Sequence, residues 1–173
     1  MQRKDVIQGF IRADVPVRCI IPLNLMKGDD AEDSRLLRIM ADGAENYLRS
    51  FKWCKGIREA FFGDGYGGIV AVFLFRIDRG SSDVDEWLWV VFGDVPPAYL
   101  VTDECKTPSE ALTGYIGEMS KWVALAKEGR SSSDVIPVYV PSTPENADDL
   151  AKRLTILREI VVPAFREAET MRA

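Results

Sequence analysis

The chain has 173 residues, close to half of them apolar, and carries 22 basic against 27 acidic side chains for a formal charge of −5. That length suits one α+β domain spanning 1–173 with a real core, and the apolar share excludes a disordered chain. The acidic balance, with no basic cluster beyond Arg3-Lys4 and Lys152-Arg153, argues against nucleic-acid binding, and the complete absence of histidine excludes His-based triads, His acid/base catalysis and His-ligated zinc within one chain.

No stretch approaches the roughly 18 uninterrupted apolar residues of a membrane span. The longest clean run, "IVAVFLF" from Ile69, has the length of a strand. The N-terminus starts basic but lacks the continuous apolar region and small-residue cleavage site of a secretory signal. Cys19, Cys54 and Cys105 are odd in number, widely separated and free of any C-x-x-C spacing, as suits reduced thiols. These features predict a cytoplasmic protein with no membrane contact.

In chain order, residues 1–28 read as an extended N-terminal arm or edge strand: Val15, Val17, Cys19 and Ile21 alternate between Pro16 and Pro22. The acidic start Asp29, Asp30, Glu32 and Asp33, followed by Leu36, Leu37, Met40, Ala44, Tyr47, Leu48 and Phe51, predicts an amphipathic helix over 30–51. The period then changes to two, and short Gly, Pro, Ser and Asp loops divide an antiparallel meander of about four strands, 57–62, 68–77, 86–92 and 98–102. Thr107, Pro108 and Glu110 form a capping box that starts a helix over 108–128, ended by Gly129. After "RSSSD" comes a short extended piece, "VIPVYVP", and then Thr143 and Pro144 open a third helix over 144–162 that Pro163 should kink or end.

The segment "FFGDGYGGIV" holds Gly63, Gly65 and Gly68 at G-x-G-x-x-G spacing. A dinucleotide fingerprint needs a helix after the glycines, whereas β-branched and aromatic residues follow here. The kinase-type loop shares the strand-turn-strand setting, but the chain lacks the length, the H-R-D and the D-F-G of a kinase. A glycine-rich hairpin turn is the expectation. Asp83, Asp85 and Glu86 lack the distal ligands of a calcium loop and read as a solvated turn; Asp94 in "FGDVPP" reads as a turn residue. Lysines 52, 55 and 106 flank Cys54 and Cys105 and could depress a thiol pKa, but no base accompanies them. No catalytic, cofactor-binding or metal-ligating residue is assigned, and no cofactor is expected.

The strands "IVAVFLF" and "EWLWVVF" are apolar on both faces, so both must be covered. Either the arm and three helices do this, or one face meets a protein partner, a second copy of the chain or an apolar ligand. The interface or ligand residues on this reading are Tyr66, Trp87, Trp89, Phe92 and Tyr99. The order helix, meander, helix, short strand, helix, with small size and acidic charge, is similar to that of bacterial type III secretion chaperones and small immunity-type proteins. That likeness of architecture implies a non-enzymatic adaptor acting through an aromatic sheet surface, most simply as a homodimer or with a protein partner. The alternative is a small-molecule binder or minor enzyme with a pocket between sheet and helices, lined by Tyr66, Trp87 or Trp89, Tyr99 and a carboxylate such as Asp64 or Asp94.

Overall fold

A computed structural model describes residues 12–172. A five-stranded antiparallel meander runs in the order β1 (Ile21–Pro22), β2 (Cys54–Tyr66), β3 (Val70–Arg79), β4 (Trp87–Gly93) and β5 (Val95–Val101). Helix α1 (Ala31–Arg49) precedes β2, α2 (Pro108–Lys127) follows β5, and a last helical run consists of α3 (Pro144–Ile156), a π-helical stretch Leu157–Val161 and α4 (Val162–Arg172). The α+β class and the meander agree with the sequence reading.

Strand alternation sorts the sheet into two cores. From β3, Ala71, Phe73, Phe75 and Ile77 face α1 with Leu37, Met40, Ala44 and Leu48, while Val70, Val72 and Leu74 face α2 with Leu112, Tyr115, Ile116 and Met119. Trp89 and Val91 of β4 join the second set, and Leu88 and Val90 the first. The α3–α4 run adds Leu150, Leu154, Leu157, Val161 and Phe165 on the α2 side. The result is three layers, with the chain's own helices on both faces of the sheet.

Several boundaries differ from the expected ones. The predicted strand over 57–62 is part of a longer one, Cys54–Tyr66, because the glycines do not form one loop: Gly63 and Gly65 are strand residues, Gly65 paired with Ala71 of β3 and Gly63 at an irregularity of the ladder, and the turn is Gly67-Gly68. Gly68 has φ +78°, the conformation glycine accepts at least cost. At Gly65 a Cβ would stand 2.6 Å from that of Ala71, so close strand approach is the requirement there. Strand β5 begins at Val95 rather than 98 and includes Pro96 and Pro97, which fall at a register irregularity between the Gly93–Val95 and Val91–Ala98 pairs, where neither has a registered partner in β4.

The segment "VIPVYVP" is not a strand; Val135, Ile136 and Val138 pack on the α2-side core from an irregular loop. Of the predicted arm, residues 1–11 lie outside the described residues, and only Ile21 and Pro22 pair with β2. The alternation expected from Val15 to Ile21 breaks at Cys19, whose φ is +64°. Val15 and Val17 therefore pack on the α2 side and Ile21 on the α1 side. Pro163 does not end the third helix. It lies one residue into the resumed α4, where the π-helical stretch just before it spares the chain a regular turn that proline would disrupt.

The helix starts follow local chemistry. Asp30 caps α1 by accepting from the Asp33 N–H, and Thr143 caps α3 through Asn146. Thr107 accepts from the Glu110 N–H at 3.3 Å, while the Glu110 carboxylate accepts from the Lys106 N–H at 2.6 Å, one residue before the usual reciprocal donor. Thr107→Ala is expected to cost about 1 kcal/mol, read as a lower urea midpoint with an unchanged denaturant slope; a shift below a few tenths of that would mean that the neighbouring Glu169 carboxylate, which accepts from Ser109 N–H at 2.7 Å, caps the helix alone.

Candidate functional site

The glycine hairpin comes first, because its amides are the donors a phosphate would need. Two of them are taken by carboxylates of the chain itself: Gly65 N–H donates to Asp64 at 2.8 Å and Gly67 N–H to Asp33 at 2.6 Å. Gly68 N–H points to the Met40 sulfur at 3.3 Å. The hairpin is thereby clipped to the first turn of α1, and an anion there would meet two carboxylates.

The five residues singled out from the sequence do not form one surface. Trp89 is fully buried between β4 and α2, and its indole N–H donates to the Cys105 carbonyl at 2.8 Å. Trp87, half-buried on the same face, is covered by the Arg76 guanidinium 5.4 Å from its ring centroid. Tyr66 stacks on Phe165 of α4 with centroids 6.2 Å apart. Phe92 lies on the opposite face, packed on the α1-side core. Tyr99 is the exposed one, at 37%.

Tyr99 belongs to an aromatic corner that the sequence reading missed. Helix α1 ends at Arg49, and the turn after it brings Phe51 and Trp53 to the outer end of β5. Phe51 stacks on Trp53 at 4.8 Å, and Tyr99 meets both edge-on, at 5.4 and 5.1 Å; Tyr47 completes the group from the last turn of α1. Burial raises the Tyr47 phenol above the ordinary tyrosine range, and the phenols of Tyr99 and Tyr139 add to the shift. The signal available in the sequence was the aromatic spacing of "FKWCKG" just after a helix end.

At the other end of β5 an open cleft of about 380 Å³ lies between Val95, Pro96 and Pro97, the Trp122 side of α2, the loop carrying Tyr139 and Val140, and α3 with Asn146, Asp149 and Arg153. Asp94, the turn residue between β4 and β5, pairs with Arg153 at 3.3 Å across its rim. The Asn146 amide donates to the Pro141 carbonyl at 2.9 Å. Pro96 of the cleft lining is held from α2 by Tyr115, whose hydroxyl donates to the Pro96 carbonyl at 2.5 Å and whose pKa is raised by burial.

Asp64 is buried to 2% exposure and lies near Arg172 at the C-terminal end of α4, outside this cleft. The cysteines differ from expectation: burial pushes all three thiols up, and Glu110 and Glu104 outweigh Lys106 at Cys105. The neighbouring lysines do not produce a thiolate at neutral pH. Among the described residues no three Cys, Asp or Glu side chains gather in a metal-binding group, and no helix is long and apolar enough to cross a membrane. Comparison with known proteins finds no matching family, no similar curated protein and no similar solved structure.

Proposed function

We propose that the protein is a non-enzymatic, cytoplasmic binding protein that docks a partner chain along the β5 edge. The observation that carries this reading is the exposed apolar side chains at this edge: Tyr99 and Val101 on the strand, and Tyr139 and Val140 on the loop that lines the cleft with Val95, Pro96 and Pro97, with Tyr139 exposed to 77%. Apolar surface gathered next to a cleft is what partner contacts use. Because Pro96 and Pro97 lack N–H groups, the contact runs through side chains rather than through an added strand. The three unpaired thiols suit a reducing compartment.

The cleft volume also suits a small molecule. Its mouth is open, however, and its Arg153, Asp94 and Asn146 groups are engaged with one another or with backbone, so an inserted partner side chain fits it better.

A photo-crosslinking residue at position 99 or 139 in cells is expected to give an adduct of discrete mass. The same residue at Ile39, an exposed apolar position on α1, is expected to give none. Adducts that are equal at all three positions, or missing from all, would sink the reading.

A further inference from the structure

We infer that the partner of the β5 edge is basic, and that an arginine side chain seats on the Trp53–Tyr99 corner between Asp83 and Asp85. This rests on the docking surface proposed above and names its chemistry. Asp83 and Asp85, in the exposed β3–β4 turn, line a recess of about 140 Å³ together with Trp53 and Tyr99. Among the described residues neither carboxylate forms an ion pair. The nearest arginine in sequence, Arg79, donates instead to the Val84 carbonyl at 2.8 Å. Asp149 in the cleft beside Tyr139 is likewise exposed and outside any ion pair of the described residues.

The chain contains the completed form of this arrangement elsewhere. Arg76 lies 5.4 Å over the Trp87 ring while its guanidinium bonds Glu86 at 2.9 Å and Glu59 at 3.2 Å. One aromatic face and two carboxylates satisfy the flat, five-donor guanidinium on its face and on its edge together. The Trp53–Tyr99 corner supplies the same set, rings plus two carboxylates, with no arginine of the described residues over it. A ring surface with carboxylates at both ends that form no ion pair among the described residues is complementary to a chain bearing arginine, and the net charge of −5 steers such a chain toward it.

The test titrates the full chain, followed by amide and indole NMR signals, with an arginine-leucine alternating pentapeptide and with its glutamate-leucine counterpart. The arginine peptide is expected to shift the Trp53, Tyr99 and Tyr139 signals, to weaken as salt is raised, and to bind roughly tenfold more weakly to the D83N/D85N protein. Both substitutions lie in a solvated turn and leave the fold in place. Equal binding of the glutamate peptide, shifts scattered away from these residues, no binding, or unchanged affinity in the double variant would each overturn the inference. The two proposals fail separately: a partner crosslinked at positions 99 and 139 through an acidic or uncharged segment would keep the docking surface and remove the basic partner.

Discussion

Replacing Trp89 by alanine is expected to destabilise the protein by about 3–5 kcal/mol, a large part of the stability of a domain this size. The indole is fully buried in the α2-side core, with Val72, Leu74 and Val91 of the same face equally inaccessible. Truncation removes its contacts, leaves a cavity that close-packed neighbours fill only partly, and strips the Cys105 carbonyl of the donor it holds at 2.8 Å. Far-UV circular dichroism against urea reads the effect as an early loss of helix. By contrast Tyr139→Ala, at an exposed position, is expected to leave stability within about 0.5 kcal/mol while weakening partner contact. A Trp89→Ala protein that stays fully folded and changes only its state of association would place this indole at an intermolecular surface instead, and the three-layer account would be wrong.

The contrast between Trp89 and Tyr139 also marks where sequence reading reaches and where it stops. Two apolar faces on the central strands correctly required two covers, because alternation is local and each strand carries it complete. What supplies the second cover is not local. Helix α1 precedes strands β2 to β5 and α2 to α4 follow them, and nothing in either pattern says that they take opposite sides. The helix starts at Thr107 and Thr143 were legible because a cap involves residues three apart, and the start of α1 because its carboxylates gather in the first turn. Gly63 and Gly65 were misplaced because what they accommodate, Pro108 and Ala71, belongs to other elements. The 130–143 loop was misread as partly extended because its apolar residues alternate with prolines. In the fold those prolines bar a ladder, Val135, Ile136 and Val138 pack inward, and Tyr139 is left outside. Of the five aromatic candidates only Tyr99 reaches the proposed surface, since exposure depends on where a strand lies in the sheet, and β5 is its edge.

Asp64→Ala is expected to cost about 3–5 kcal/mol and to loosen α4 first. The Asp64 carboxylate and the Arg172 guanidinium stand 3.6 Å apart with side-chain exposures of only 4% and 5%. Arg172 also reaches the carbonyls of Cys19 at 3.4 Å and Gly63 at 3.3 Å, so it ties the end of α4 to β2 and to the backbone just before β1. Removing the carboxylate leaves a buried cation facing two long carbonyl contacts, which do not replace the lost charge, and it also takes the acceptor from Gly65 N–H. The same helix carries Phe165, stacked on Tyr66, and Glu169, which holds the Ser109 N–H and hydroxyl at the start of α2. Amide exchange should therefore accelerate over residues 162–172 and at the first turn of α2 before it does in β3. Asp64→Asn keeps the shape and an acceptor for Gly65, and is expected to lose less. Adding Arg172→Met to Asp64→Ala should recover part of the loss, because the stranded cation is removed with its partner. A loss below about 1 kcal/mol in Asp64→Ala would show that Arg172 turns out to water at little cost, and that the pair behaves as a surface ion pair rather than as the latch of the last helix.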